Sequence, residues 1–585
     1  MTITSEDLIR GGGFLVAPVG TQTQFTPEEL GEDAQAIGQA AREYVEGEIL
    51  PNDGAIDKLD LELSKELLRK AGEIGLLSLE IPEQYEGMDL DKITGLLVLE
   101  ELGRQASFSV SYGAHTGIGT LPIVYFGNDE QKAKYLPKLG SGEWLAAYAL
   151  TEPGAGSDAM NSKTVATLDG EEWVLNGSKM WITNAGFADV FVVFAKVDGK
   201  KFSAFIVEKT DPGFSVAAEE HKLGIKGSST RALSFDNCRI PKDRLLGRIG
   251  FGHRIAFGIL AIGRFKLGAG CNGIAKEVLK YTLKYTAERQ QFGKSINQFG
   301  MIRKYLADMA IRIFVAESMN FRTLGYISDG MHAISWDEAD AADRKMKIMD
   351  EFQMEASIMK VWDSEALGFI ADDAVQCFGG YGFSAEYPPE KIYRDNRINR
   401  LFEGTNEINR MIIANQVFKK VGNGQLAFQK DAANLPALGE GALGAAFQAV
   451  ELAKRASQFA IATVLELVGQ KLIENQEASA RAADMVTDVY TMESTVVRAD
   501  KMVGASHRWA EFAKEIAEVY VNEGYVRVLS QARLLLAEVL EGAELAAALE
   551  TLKAFDLALP ISGSARRNRL AEAVIEKGIY PIENW

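Results

Sequence analysis

One β-rich block, residues 149–250, interrupts an otherwise helical text, and that block limits the folds open to this chain. Residues 190–197, 202–208 and 232–235 are runs of strand length, rich in β-branched and aromatic side chains. Asp211-Pro212-Gly213 has turn chemistry. Asn176-Gly177, between residues 171–175 and 178–183, predicts a hairpin turn. Strands gathered in one block, rather than alternating with helices, predict an α+β, mainly α architecture and exclude a simple βαβ repeat.

The flanks carry helical periodicity. Leu59, Leu63, Leu67 and Leu68 recur at helical spacing, as do Leu96, Leu97, Leu99 and Leu102, with Pro51, Pro82, Pro122 and Pro137 as punctuation. The expected order is a flexible arm at 1–25, a helical domain at 26–148, a β-domain at 149–254 and a helical bundle at 255–421. Asn434, Pro436, Gly439 and Gly441 suggest a linker at 422–444, before an Ala/Leu/Glu-rich helical domain at 445–585. No segment reads as a membrane span, and residues 1–10 lack the pattern of a signal peptide.

Composition removes several functions. The net charge is −18, from 63 Lys+Arg against 81 Asp+Glu, which suits no phosphate backbone, so no nucleic acid is expected as partner. Cys238, Cys271 and Cys377 are too few and scattered for a disulfide framework or a zinc site, and the five histidines show no metal-binding spacing. A reducing compartment is expected.

Five segments could carry chemistry. Thr151-Glu152-Pro153-Gly154-Ala155-Gly156-Ser157-Asp158 follows an apolar run; its small residues admit close approach of a flat or anionic ligand, or form a plain turn. Trp181-Ile182-Thr183 puts an aromatic and a hydroxyl on one side of a strand, facing a planar ligand or a sandwich core. Glu288-Arg289-Gln290-Gln291-Phe292-Gly293-Lys294 offers a guanidinium fork suited to phosphate, or a solvated helix end. Gln376-Cys377-Phe378-Gly379-Gly380-Tyr381-Gly382 breaks a helix and exposes backbone N–H groups, or simply caps it. In Leu401-Phe402-Glu403-Gly404-Thr405-Asn406-Glu407 an acid stands among apolar neighbours. Burial would raise its pKa and suit it to remove a carbon-bound proton; the alternative is a helix-capping acid.

In this order and spacing the five segments resemble the acyl-CoA dehydrogenase family, from about Phe25 to Val421. Gly263-Arg264-Phe265 and Asn297-Gln298-Phe299-Gly300 agree, and the helical extension resembles the very-long-chain branch. The resemblance implies FAD between β-domain and bundle. It implies that Tyr148, Leu150, Thr151, Gly156, Ser157, Trp181, Ile182 and Thr183 line the flavin, and that Thr405 and Glu407 meet its adenosine part. Arg289, Phe292, Gln376, Gly379 and Gly380 would reach the FAD of a neighbouring subunit in a homodimer. Ser157, Arg264 and Gly404 would contact substrate, with Arg264 at the nucleotide end of CoA.

The chemistry so implied is removal of the pro-R α-proton of an acyl-CoA by Glu403 while the β-hydride passes to the flavin, giving a trans-2-enoyl-CoA. The Glu403 N–H would help polarise the thioester carbonyl. An acid-bearing preceding helix is the alternative in one branch, but residues 259–263 contain none. Electrons would pass to an electron-transfer flavoprotein. An acyl-CoA oxidase and a respiratory-complex assembly scaffold are the competing expectations. A bacterial cytoplasmic protein is expected, with membrane attachment through 422–443 possible but not favoured.

Overall fold

The computed structural model describes residues 10–430, 441–556 and 561–582. The first helices are α1 (Glu32–Tyr44), α2 (Asp53–Asp57), α3 (Leu61–Glu73), α4 (Lys92–Gly103), α5 (Ala106–Gly113), α6 (Leu121–Phe126) and α7 (Asp129–Ser141). Helix α4 is buried on every side from Ile93 to Gly103, with Glu100 and Glu101 paired to Lys276 and Arg42, so it forms the central rod of this domain. Asp91 caps it, accepting the Thr94 N–H at 2.7 Å. Pro137, expected as punctuation, lies inside α7.

The β-domain holds β1 (Ala146–Ala149), β2 (Val165–Asp169), β3 (Glu172–Thr183), β4 (Val190–Val197), β5 (Lys201–Glu208), β6 (Phe214–Glu219), β7 (Thr230–Pro241) and β8 (Leu245–Leu246). Their order is β6-β7-β3-β2-β4-β5-β8, with β1 parallel to β4. The twofold period of β4 divides two cores: Val190, Val192 and Phe194 join the helical core, while Phe191, Val193 and Ala195 pack with Trp173 and Phe205 on the other face. That burial on both faces explains why β4 reads as a continuous apolar run.

The hairpin expected at Asn176-Gly177 is not there. The turn joining β2 to β3 contains Gly170 at φ 65°, and β3 runs unbroken through Gly177. Gly177, at φ 147°, marks a register shift against β7, and a Cβ there would meet Thr164 Oγ1 at 2.6 Å. The Asn-Gly pair signals a β-bulge rather than a turn.

The bundle follows as α8 (Gly252–Glu288), α9 (Gly300–His332), α10 (Ala341–Glu351), α11 (Gln353–Phe378), α12 (Pro388–Asn396) and α13 (Asn406–Gly422). A small ribbon, β9 (Gln290–Gln291) and β10 (Lys294–Ser295), links α8 to α9. The last helices are α14 (Gly444–Val468), α15 (Gln476–Gly504), α16 (Ala510–Ala537), α17 (Gly542–Leu552) and α18 (Gly563–Lys577). They share one continuous core with the bundle. Arg410 on α13 pairs with Asp484 on α15 at 2.7 Å, and Arg567 on α18 with Asp308 on α9 at 2.5 Å.

The expectation of a flexible arm at 1–25 fails for its described part, residues 10–25. Phe14 and Leu15 are buried at 2% and 0% exposure. The Gly12 N–H donates to Glu355 Oε1 at 2.6 Å, Lys420 Nζ to the Gly11 carbonyl at 2.7 Å, and Gln24 Nε2 to the Ser494 carbonyl at 2.8 Å. The glycines that suggested looseness permit close packing: a Cβ on Gly11 would lie 2.0 Å from the Glu351 carbonyl oxygen. Of the linker expected at 422–444, residues 431–440 lie outside the described residues. Among the described residues no helix is long and apolar enough to cross a membrane, and no cluster of acids, histidines and cysteines could hold a metal ion.

Candidate active site

Glu403 sits on a turn just before α13, and its backbone is left-handed: φ is 57° at Glu403 and 79° at Gly404. A non-glycine residue there costs about 1–2 kcal/mol, so the surroundings must hold it. They do. The Thr405 hydroxyl caps α13 by accepting the Ile408 N–H at 3.2 Å. Asn409 Nδ2 donates to the carbonyls of Gly404 at 2.8 Å and Thr405 at 3.0 Å. Arg264 Nε, from α8, donates to the Glu403 carbonyl at 3.3 Å. Among the described residues the Glu403 N–H has no acceptor.

The carboxyl points at α8, where a glycine leaves it room. A Cβ on Gly263 would lie 2.5 Å from Glu403 Oε2. That oxygen is buried and has no hydrogen-bond partner. It faces a cavity of about 110 Å³ walled by Leu99, Val110, Thr183, Leu267, Ile274 and Phe402. Burial raises the Glu403 pKa to about 7, against the opposing pull of Arg264 and Lys360. Burial also lowers Lys360 to about 8 and Arg264 to about 10. Lys360 Nζ is anchored to Asn406 Oδ1 at 2.6 Å. A carboxylate poised near neutrality in an apolar cavity is suited to take a proton from carbon.

Thr183, at the end of β3, brings the β-domain to the same cavity. Two residues earlier, Trp181 is bulged at φ 60° and 53% exposed, so it is not the sandwich-core Trp; Trp173 is. Ile182, between them, is buried in the second β-domain core. Tyr148 and Leu150 are buried at the end of β1, with the Tyr148 hydroxyl 3.4 Å from the Ala256 carbonyl. The loop beyond is pinned by Glu152, which accepts from the fully buried Lys179 at 2.7 Å. Gly154 and Gly156 face open space, and Thr151 and Ser157 are accessible beside them.

Residues 31–143, 147–238 and 250–418 match the acyl-CoA dehydrogenase N-terminal, middle and C-terminal domains, and 453–554 match a further acyl-CoA dehydrogenase C-terminal domain. A probable acyl-CoA dehydrogenase of Bacillus subtilis (strain 168) is 42% identical, with all of both chains covered. The chain belongs to the acyl-CoA dehydrogenase family. The bovine mitochondrial very long-chain specific acyl-CoA dehydrogenase is 33% identical over 87% of this chain and 79% of its own. A solved acyl-CoA dehydrogenase complexed with FAD, from Bacillus anthracis, superimposes with a TM-score of 0.95 at 40% identity, covering 98% of this chain and 100% of that one.

Within this acyl-CoA dehydrogenase scaffold the sequence-derived candidates fall into two groups. Glu403, Gly404, Thr183 and Arg264 converge at or beside the buried cavity. Arg264 therefore departs from its expected place at the nucleotide end of CoA: it is 5% exposed and directed at the Glu403 carbonyl. Arg289, Gly379 and Gly380 line a different, open cavity of about 650 Å³ with Tyr285, Tyr381 and Tyr387. Gln376 and Phe292 lie nearby in the chain and are exposed, Phe292 at 92%. Glu407 is exposed in the first turn of α13.

Sequence reasoning missed Gly263 as the space for the base, and missed Lys179, Lys360 and Asn409 as supports. Gly263 had been read only as part of a motif and as an absence of acid. The supports act through tertiary contacts between separated segments, which no local pattern announces.

Proposed function

We propose that this protein is an FAD-dependent acyl-CoA dehydrogenase that removes the α-proton of a fatty acyl-CoA with Glu403 and yields a trans-2-enoyl-CoA. The observation that carries this is the unpartnered, buried Glu403 oxygen facing an apolar cavity, with its pKa raised to about 7. The unoccupied Glu403 N–H is available to the thioester carbonyl, where it would favour the developing enolate. The apolar walls exclude water and keep the carboxylate a strong base.

The residues present fit FAD. Open space over Gly154 and Gly156, the hydroxyls of Thr151, Ser157 and Thr183, and the exposed Trp181 ring make a cradle for a flat, polar-edged ligand. Tyr148, Leu150 and Ile182, all buried, would line the flavin beside it. When bound, FAD supplies the hydride acceptor. Arg289, Phe292, Gln376, Gly379 and Gly380 would serve the FAD of a second subunit in a homodimer, which accounts for their exposure. Thr405 and Glu407 would meet its adenosine part, and Ser157 and Gly404 the acyl thioester. An electron-transfer flavoprotein is the proposed acceptor.

Glu403→Gln keeps the shape and removes the base. The variant should retain FAD and bind acyl-CoA, yet anaerobic reduction of the flavin should slow by more than the roughly 10²–10⁴-fold usual for a general base. Near-normal reduction would place the base elsewhere. Oxygen consumption without an acceptor protein would replace the dehydrogenase reading with an oxidase.

A further inference from the structure

One wall of the Glu403 cavity is charged. Lys266, two residues beyond Arg264 on α8, lines this cavity together with Leu99. Its stem runs along Gly117, where a Cβ would lie 3.1 Å from Lys266 Cδ. Its ammonium pairs with Glu80 Oε1 at 2.5 Å, and the other Glu80 oxygen takes Lys92, the first residue of α4. The three side chains are 13%, 7% and 11% exposed. Beyond them lies a second cavity of about 400 Å³, lined by Glu80, Lys92, Tyr125 and Trp336. A gap of about 10 Å³, touched by Leu99, Glu80 and Lys266, separates the two. The ion group is thus a partition between two cavities.

We propose that the Lys266–Glu80–Lys92 group is the end wall that sets the acyl length this enzyme accepts; the proposal rests on reading the Glu403 cavity as the acyl site. The cavity holds about four water-sized groups, so an acyl tail of methylene units of similar size meets this wall early. A leucine or methionine wall yields by changing rotamer. Methylenes forced into this one would separate buried opposite charges and leave each without its partner. The lining also has small residues, Gly113 and Ala114, so in this proposal the lysine stem rather than a bulky apolar side chain closes the path.

The test uses holoenzyme and a straight-chain series from butyryl-CoA to palmitoyl-CoA, with equilibrium binding and anaerobic flavin reduction both recorded. Wild-type affinity should rise with each methylene, then break. Lys266→Ala vacates the stem and leaves Glu80 paired with Lys92, so no charge is orphaned. It should move the break to longer chains, with a gain of about tenfold or more for the first chain beyond it. Lys266→Leu should move the break in the same direction. Lys92→Ala leaves Lys266 facing the acyl cavity and still paired with Glu80, and should not move it. A wild-type series with no break, an unmoved break in both Lys266 variants, or an equal shift with Lys92→Ala would overturn the wall. If the break behaves as stated but no acyl-CoA bleaches the flavin, the wall stands and the dehydrogenase reading falls.

Discussion

Glu403-Gly404 and Phe292-Gly293 share one backbone device and use it in opposite settings. Both pairs are left-handed, with φ of 57° and 79° in the first and 53° and 77° in the second. Phe292-Gly293 is the two-residue turn between β9 and β10, a place where Asn-Gly is the easy choice. The strain at Glu403 is answered inside the chain by Thr405, Asn409 and Arg264, and it aims a carboxylate into a cavity. The strain at Phe292 is met by an edge contact with the Phe299 ring at 5.9 Å, and the Phe292 side chain is 92% exposed. The pairing sets a site held within the chain against an exposed turn, which we propose meets a second subunit.

The comparison breaks most visibly at Gly263. Gly263→Ala puts a methyl where Glu403 Oε2 now sits, 2.5 Å away, so the base must shift. Flavin reduction should fall about 10²-fold with FAD content unchanged. A normal rate would mean that the carboxylate's position does not matter.

The second effect is on stability and carries a pH sign. The Glu403 pKa is raised by burial to about 7, so the folded state holds its proton where the unfolded state has lost it. Stability is therefore lost as pH rises from the ordinary carboxyl value of 4.5 to about 7, by about 3 kcal/mol in all, and is level above that. Glu403→Gln removes the ionisation, so the FAD-free variant should gain thermal stability over wild type at pH 8 and little at pH 5. An equal difference at both values would show that Glu403 is not a buried titrating group, and a loss at both would favour a capping role.

The smallest effect sharpens the other side. Phe292→Asn suits the left-handed turn and should stabilise the FAD-free chain by about 1 kcal/mol. The same change should weaken FAD retention or self-association. A variant that is stabilised and otherwise unchanged would show that the exposed ring has no partner.

The β block, the helical flanks and the burial of the Glu403 carboxyl were legible because each rests on local pattern: strand-length apolar runs, leucine periodicity, and an acid among apolar neighbours. The Asn176-Gly177 hairpin was misread because a bulge and a turn favour the same dipeptide, and only the pairing partner β7 distinguishes them. Arg264 was misplaced because a motif gives a position without a direction, and its side chain turns inward. The arm was misread because its glycines are consistent with both looseness and tight packing, and its partners lie more than 300 residues away in sequence.

That arm also has a place in time. It leaves the ribosome before the carbonyl that receives Gln24, which belongs to Ser494, 470 residues later. At about 5–20 residues per second, the interval between them is on the order of a minute. Until then Phe14 lacks the Tyr490 ring it packs against, and residues 10–25 lack the partners that bury them. Docking of residues 10–25 on α14 and α15 is therefore a late step of maturation, and their resistance to proteolysis reports that those helices are in place.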